Sequence, residues 1–299
     1  RGKAATRRPR PRLLWLTSRR KTCEAGPEPH NHFYPLAGAF LLRRKAPPML
    51  WEELSWPKHE KMAESGATVV MPFAAIEQHG PHNPVAVDNC LATAVCQKAT
   101  DGLEGVLLTP TMWAGLSPHH MEFPGTLTFS LETYISVIQD LVRSVARHGY
   151  KKVLLVNGHG GNVASLQAAA LSLKHELGIT IWMVTYFKLG DKIAGEIRHG
   201  EIGSMGHSGE FETSMMLHLR PDLVDMDKAE KQVWKRPHPL MVQDMHRGGL
   251  LNAPADFTRK TKPLGTSGDP TVATAENGGK FYEATAERLR DIIQTLAAL

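Results

Sequence analysis

The stretch ATVVMPFAAIEQHGPHNPVAVDN, residues 67–89, joins an apolar run to a polar loop. Residues 67–76 have the composition of a buried strand. The loop that follows carries Glu77, His79 and Asp88, whose side chains are common metal ligands, and its Gly and Pro residues prevent a regular helix there. Glu77 and His79 are two residues apart, so they point to the same side of an extended segment. We interpret this loop as half of a metal site; the alternative is a polar loop whose charges face water.

The chain alternates short apolar runs with longer helical patterns. Strands are predicted at 67–76, 105–114, 151–157 and 180–187, and helices at 89–103, 130–150, 162–178, 209–220 and 284–299. This alternation is typical of βαβ units and predicts an α/β fold with a parallel sheet. Ligands of such sheets bind at the carboxyl ends of the strands, so functional side chains are expected there.

A second polar cluster follows the predicted strand at 151–157. The sequence LLVNGHGGN, residues 154–162, places His159 between glycines, which let the backbone approach a ligand closely. The phosphate-binding patterns GxGxxG and GxxxxGKS/T are absent from this sequence, so a nucleotide-binding loop is not expected.

A third cluster lies in GSMGHSGEFETS, residues 203–214, which contains His207, Glu210 and Glu212. Glu210 and Glu212 do not face the same way on a helix because they are two residues apart, so at most one is expected to enter a shared site. The two acids could instead complement the dipole of the helix that they begin. Taken together, the three clusters predict two divalent cations that share a carboxylate.

The charge of the chain is unevenly distributed. Residues 1–48 contain 12 of the 35 Lys and Arg residues and 2 of the 30 Asp and Glu residues, so the remainder is acidic. We predict a basic, disordered N-terminal extension at 1–48 and one folded domain at 49–299. The extension could be a transit peptide, a nucleic-acid-binding arm or sequence translated upstream of the true start. The last interpretation is favoured because organised sequence begins at Met49.

The composition excludes several classes of protein. No run approaches the roughly 18 apolar residues of a membrane span, and no signal-peptide core is present. Cys23, Cys90 and Cys96 lack CxxC spacing, so neither a disulfide framework nor a cysteine zinc site is expected. These features favour a protein of the reducing cytoplasm.

Five motifs, taken in order, resemble the creatininase family of metal-dependent amidohydrolases. They are IEQHGPHNPVAVDN at 76–89, PHHMEFPGTLTF at 118–129, VNGHGGN at 156–162, GHSGEFETS at 206–214 and GDPTVATAENGGKF at 268–281. The resemblance covers residues 49–299 and implies a three-layer α/β/α sandwich with a mainly parallel sheet. It also implies a centre of two divalent metal ions, zinc, manganese or iron, and a homohexamer.

The resemblance implies a ligand pattern that can be carried over by motif. Glu77, Asp88 and His159 would hold one ion. His79, the shared Asp88 and a further glutamate would hold the other.

This chain departs from creatininase itself, which resembles HYEN where HGGN stands here at 159–162. The acid expected at Gly161 is missing, and Glu210 is favoured over Glu212 as its replacement. The aromatic side chain expected near creatinine is missing at Gly160, which argues against creatinine itself as the substrate. Gly160 is retained as a substrate-contact position.

His207 and Glu212 are assigned catalytic roles. His207 would carry a proton to the leaving nitrogen, and Glu212 would orient the water or the imidazole. His120 and Trp113 are assigned to substrate contact. The alternatives are a structural His120 and a Trp113 that fills the core, and the core position is favoured for Trp113.

These assignments predict a metal-dependent amidohydrolase that acts on the C–N bond of a small cyclic amide or formamide. A metallopeptidase that trims a short peptide and a hydrolase of a cyclic carbonyl compound are the alternatives on the same scaffold. A non-catalytic metal-binding or nucleic-acid-binding protein is disfavoured, because the ligand set is nearly complete.

Overall fold

The computed structural model describes residues 47–233, 238–251 and 253–299 of the chain. The predicted N-terminal extension therefore lies outside the described residues, apart from its last two positions. The fold is built on four strands: β1 (Thr68–Phe73), β2 (Val106–Leu108), β3 (Lys152–Asn157) and β4 (Thr180–Thr185). They form one parallel sheet in the order β2-β1-β3-β4.

Helices account for most of the remaining regular structure. Those of the described residues are α1 (Trp56–Glu64), α2 (Val87–Thr100), α3 (Leu131–Arg147), α4 (Val163–Leu177), α5 (Asp191–Ile197), α6 (Glu210–Leu219) and α7 (Ala275–Ala297). A short antiparallel hairpin consists of β5 (Gln243–Asp244) and β6 (Arg247–Gly248). No helix in the described parts of the chain combines the length and the apolar composition of a membrane span.

The sheet lies between two layers of helices. Neighbouring residues of a strand point to opposite faces of the sheet. Val69 and Leu155 belong to the apolar core that the sheet shares with α3 and α4. Val70 and Leu154 belong to the core that it shares with α2, α6 and α7. The predicted α/β/α sandwich with a parallel sheet is therefore confirmed.

The carboxyl ends of β1, β3 and β4 lie side by side. Phe73, Asn157 and Thr185 are Cα partners across the three strands. The chain leaves β3 through Gly158, whose N–H donates to the Phe73 carbonyl at 2.8 Å. A Cβ at Gly158 would lie 2.7 Å from the Cβ of Ala92 in α2, so this close approach requires glycine. The loops after β1 and β3 consequently meet above this edge of the sheet.

Several elements differ from their predicted bounds, among them β2, α7 and α2. β2 is shorter than the predicted strand at 105–114, because Pro110, which has no N–H to donate to a ladder, follows it. α7 begins well before the predicted start at 284, because the Thr274 hydroxyl caps its first turn. α2 begins early enough that Asp88 lies in its first turn and not in the preceding loop.

Replacing Leu154 with Ala should lower the free energy of unfolding by about 2–5 kcal/mol, because this 1% exposed side chain fills the centre of the sandwich. The matched control is Leu171→Ala on α4. That side chain is 64% exposed, so the expected change is within about 0.5 kcal/mol. Urea denaturation measures both variants, and equal midpoints would contradict the placement of Leu154 in the core.

Candidate metal centre

Three polar segments meet above the carboxyl edge of the sheet. The loop after β1 and the first turn of α2 contribute Glu77, His79 and Asp88. The loop after β3 contributes His159, and the first turn of α6 contributes Glu212. None of the five residues is more than 4% exposed.

Asp88 lies between two histidines. Its Oδ1 is 3.4 Å from His79 Nε2, and its Oδ2 is 2.9 Å from His159 Nδ1. On the outer sides, Glu212 Oε1 is 3.7 Å from His79 Nε2, and Glu77 Oε2 is 3.2 Å from His159 Nε2. Each imidazole therefore faces two carboxylates, and Asp88 is shared by both pairs.

Three buried atoms of this cluster have no hydrogen-bond partner among the described residues. They are Glu77 Oε2, His79 Nε2 and Asp88 Oδ2. An unsatisfied buried polar atom costs about 1–3 kcal/mol, and a charged one costs more. These atoms lie near other polar atoms without hydrogen-bond geometry, as lone pairs do when they point at a common cation. The donor set of carboxylates and imidazoles therefore fits a divalent metal ion.

The backbone determines which nitrogen of His79 can bind a metal. Nδ1 lies 3.1 Å from the Glu77 carbonyl oxygen, which can only accept, so Nδ1 carries the proton. Nε2 then holds the lone pair and faces Asp88 and Glu212. A carbonyl partner of this kind is typical of histidines that bind metals.

The candidate ligand atoms of the described residues form three groups. Within each group, the atoms lie no more than 4.8 Å apart: His79, Asp88 and Glu212; Glu77, His119 and His159; and Glu77, His79 and His207. The second group includes His119, which had no assigned role, and whose ring stacks on His159 with 5.8 Å between centroids.

The electrostatics of the cluster favour added positive charge. Burial raises the pKa of Glu77 to about 7. Burial alone would lower the pKa of His159, but the carboxylates of Glu77 and Asp88 outweigh it and raise that pKa to about 9. Glu212 and Asp88 likewise raise the pKa of His79 against the effect of its burial. The carboxylates therefore attract either protons onto the imidazoles or metal cations.

Glu210, which the sequence favoured as a ligand, lies outside the cluster. Its Oε1 accepts from the backbone N–H of His199 at 2.6 Å. Its Oε2 accepts from the Gly200 N–H at 3.0 Å and from the Ser204 hydroxyl at 3.1 Å. The carboxylate is engaged in holding the segment before α6. Glu212 is the acid of α6 that enters the cluster, so the geometry favours it over Glu210 as a ligand, and the ligand choice stays a prediction.

The chain has no room for the acid that was expected at Gly161. A Cβ at Gly161 would overlap the backbone carbonyl oxygen of Leu116 and would lie 2.5 Å from His159 Nε2. The neighbouring Gly160 is exposed, and a Cβ there would meet no described atom within 4 Å. The position of a side chain at Gly160 is therefore open space.

His207 presents one nitrogen to the cluster. Its Nε2 lies 2.8 Å from the Gln78 backbone carbonyl oxygen, so Nε2 carries the proton and Nδ1 keeps its lone pair. Nδ1 is 3.5 Å from Glu77 Oε1. Burial, reinforced by the charge of His79, lowers the pKa of His207 well below its usual value. The ring is therefore a neutral proton acceptor beside the cluster.

His120 is held by protein groups on both sides. Its Nδ1 accepts from the side-chain N–H of Gln78 at 2.8 Å, and its Nε2 faces Glu77 Oε1 at 3.4 Å. The Gln78 amide has a fixed orientation, because its own Oε1 accepts from the Gly80 N–H at 2.9 Å. These contacts fit a role in positioning Glu77, and direct contact of His120 with substrate stays a prediction.

Trp113 has a partly exposed side chain. Its side chain is 49% exposed, so the core position that was favoured for it is wrong. The described aromatic contacts around the cluster are made by histidines and Phe257, without Trp113. Its assignment to substrate contact stays a prediction.

The sequence analysis missed Phe257. Its ring centroid lies 4.3 Å from that of His120 and 4.8 Å from that of His207, and its N–H donates to the His119 carbonyl at 3.3 Å. The residue belongs to an irregular segment between β6 and α7. Because this segment has no apolar period, no local signal identifies Phe257 as part of the site.

Comparisons of sequence identify relatives along most of the chain. The profile of the Creatininase family, described as creatinine amidohydrolase, matches residues 52–293. Mycofactocin precursor peptide peptidase of Mycobacterium ulcerans is 29% identical over 253 residues, which cover 82% of this chain and 90% of that protein. Creatinine amidohydrolase of Pseudomonas putida is 31% identical over 259 residues, which cover 81% of this chain and 95% of that protein.

Solved creatininase structures share the fold. A mutant creatininase of the Zn–Zn type superposes with a TM-score of 0.69 and 28% identity, over 82% of this chain and 97% of that chain. A manganese creatininase superposes with a TM-score of 0.69 and 27% identity, over 83% of this chain and 98% of that chain. The sequence profile, the relatives and the shared fold together establish that the chain belongs to the creatininase family of hydrolases.

Proposed function

We propose that the chain cleaves a C–N bond of a small amide with the help of two divalent metal ions. The observation that carries this proposal is the position of Asp88 between His79 and His159, in a buried cluster of which three polar atoms lack hydrogen-bond partners among the described residues. A carboxylate in this position can bind one ion with each oxygen, and two-metal hydrolytic sites hold their ions close together.

Two ligand sets share Asp88 in this proposal. His79, Asp88 and Glu212 would hold one ion, and their ligand atoms lie within 4.8 Å of one another. Glu77, Asp88 and His159 would hold the other, because His159 lies 2.9 Å from Asp88 and 3.2 Å from Glu77. His159 Nε2 lies 3.1 Å from the Leu116 carbonyl oxygen, so Nε2 carries the proton and Nδ1, which faces Asp88, is the nitrogen that would bind an ion.

Glu212 takes the ligand position that the sequence favoured for Glu210. Its Oε2 already accepts from the Ser208 N–H at 2.6 Å, so Oε1 is the oxygen that remains for a metal ion. We therefore propose Glu212 as a ligand and not as the group that orients His207.

His207 is the proposed proton carrier. Two divalent ions, when bound, would supply an acidified water and a polarised carbonyl. The chain itself must then move a proton to the leaving nitrogen, and the lone pair of His207 Nδ1 faces the cluster while the Gln78 carbonyl holds the opposite N–H. Acid–base catalysis by a positioned histidine contributes about 10²–10⁴-fold to the rate.

A metallopeptidase is the second candidate function. The open space at Gly160 supports it, because a peptide needs room beside the reaction centre that a small cyclic amide does not. Relatives named as peptidases also match most of the chain. Product analysis with short peptides, small cyclic amides and formamides distinguishes the two functions.

Wild-type protein should contain about two metal ions per chain, and Asp88→Ala should lose both, because both proposed ligand sets share this carboxylate. Glu212→Gln should lose one ion. Glu210→Gln should keep both, because Glu210 binds backbone amides and a hydroxyl. Elemental analysis of the full chain measures the metal content of each variant.

Glu210→Gln serves as the matched control for Glu212→Gln, since both acids lie in the first turn of α6. It should lower stability by about 1–3 kcal/mol, because its new amide N–H groups would face a backbone N–H donor. Unchanged metal content in Asp88→Ala would contradict the shared site. Metal loss in Glu210→Gln alone would return the ligand role to Glu210.

Replacing His207 with Ala should lower kcat by about 10²–10⁴-fold while the metal content stays unchanged, because His207 is proposed to carry a proton and not an ion. Turnover of a cleaved amide and elemental analysis measure the two quantities. The control is His175→Ala, an exposed histidine of α4, which should leave both unchanged. Loss of metal from the His207 variant would make that residue a ligand.

A further inference from the structure

Lys262 is a buried lysine that has no acidic partner among the described residues. Its side chain lies in the irregular segment between β6 and α7 and is only 4% exposed. Among the described residues, no carboxylate oxygen forms an ion pair with its Nζ within 4.0 Å. Its contact is the Phe257 ring, whose centroid lies 3.6 Å from Nζ. Lysines are almost never fully buried unless they are paired, so this position needs a physical reason.

The segment that carries Lys262 lies against the candidate metal centre. Phe257 contacts the rings of His120 and His207, with 4.3 and 4.8 Å between centroids. The pKa values of His119 and His120 are lowered by burial, by neighbouring histidines and also by the charge of Lys262. Through its contact with Phe257, Lys262 is therefore linked to the histidines of the site.

Backbone hydrogen bonds hold Lys262 in place. Its carbonyl accepts from the Gly265 N–H at 2.8 Å, and its own N–H donates to the Thr258 carbonyl at 2.8 Å. The Gly265 carbonyl in turn accepts from the side chain of Gln78 at 2.8 Å. The segment of Lys262 is thus hydrogen-bonded to Gln78, which lies between Glu77 and His79 in the chain.

The Phe257 ring does not satisfy this ammonium group. An ammonium carries three N–H donors, whereas a ring face attracts the charge without replacing three hydrogen bonds. Burial lowers the pKa of Lys262 to about 8, and the exposed Asp256 opposes that effect only in part. The ammonium group therefore has N–H donors left for an anionic ligand.

The other basic groups of this segment are turned elsewhere. Arg259 binds Glu122, with its backbone N–H 2.9 Å from the carboxylate and its Nε 3.3 Å from the carbonyl oxygen. Lys260 is exposed to solvent. Of the basic residues at 256–262, Lys262 is the one buried beside the cluster.

We infer that Lys262 binds a carboxylate of the substrate through its Nζ. The substrate class is then an amide that also carries a carboxylate, such as an N-acylated amino acid or the C-terminal end of a peptide. This inference rests on the proposed function, because it places the carboxylate beside a hydrolytic centre.

The test compares substrates that differ only at the carboxylate. Full-length, zinc-loaded protein is given short peptides with a free C-terminal carboxylate and the same peptides as C-terminal amides. N-formyl amino acids and their amides form a second pair, which distinguishes small acylated amino acids from peptides. In Lys262→Met, the KM for the carboxylates should rise about 10- to 100-fold, because a hydrogen bond to a charged group is lost. The kcat should change little, and the amides should be unaffected.

Three further variants make the result specific. Lys262→Arg keeps the charge and should restore part of the loss. Lys260→Met is the matched control on the same segment and should change neither substrate class, because that side chain is exposed. If circular dichroism finds Lys262→Met unfolded, Lys262→Gln takes its place. An equal effect on carboxylates and amides, or no effect on either, would overturn the inference and leave the proposed function standing.

Failure of the proposed function would give a different result. If wild-type protein cleaves none of these compounds, the hydrolytic proposal fails, and equilibrium binding decides the inference. Calorimetry should then find that wild-type protein prefers the free-carboxylate peptide over its amide and that Lys262→Met loses this preference. Equal preference in both proteins would overturn the inference. Carboxylates also bind metal ions directly, and the comparison in the same metal-loaded state isolates the contribution of Lys262.

Discussion

The burial of three carboxylates around two imidazoles is the constraint on which the rest of the active region depends. Glu77, Asp88 and Glu212 cannot share one dry site as anions unless positive charge lies among them. Part of the stabilisation comes from the helices, because Asp88 and Glu212 lie in the first turns of α2 and α6, where the helix dipole favours negative charge. Protons or metal cations must supply the rest. Three separate segments of the chain contribute these charged groups at one edge of the sheet.

The backbone is less free to vary in the cluster than in the rim around it, which includes Gly160 and Gly161. The cluster depends on the register of β1 and β3, which aligns Phe73 with Asn157 and leaves little freedom to the loops that follow. The rim is less restricted. Gly160 borders open space, whereas Gly161 is packed so closely against Leu116 that the acid of creatininase cannot be accommodated without moving the backbone. A hydrolase of this family can therefore keep its metal chemistry while the rim changes which amide it accepts.

The fold could be predicted from the sequence because each long strand is an apolar run that ends in a glycine- or proline-containing loop. The same regularity brings the polar residues after β1 and β3 together, since the carboxyl ends of parallel strands meet at one edge. The choice between Glu210 and Glu212 could not be predicted, because it depends on the amides of His199 and Gly200, which fold back onto Glu210. Phe257 could not be predicted either, since its segment has no period. The homohexamer and the cytoplasmic location follow from resemblance and composition alone and stay predictions.

Gln78 connects the proposed substrate-binding segment of Lys262 with His207, the proposed proton carrier. Its backbone carbonyl holds the N–H of His207, and its side-chain amide donates to His120 and to the Gly265 carbonyl. Gly265 adopts a φ of 71°, a conformation that favours glycine. The hydrogen bond between Gln78 and Gly265 therefore tolerates little change in sequence at position 265. A mutation that reshapes the Lys262 segment would therefore also disturb the histidine beside the cluster. Grafting this segment from one relative to another would transfer substrate preference only if the graft also carried a compatible partner for Gln78. This condition restricts the routes by which new specificities can evolve on this scaffold.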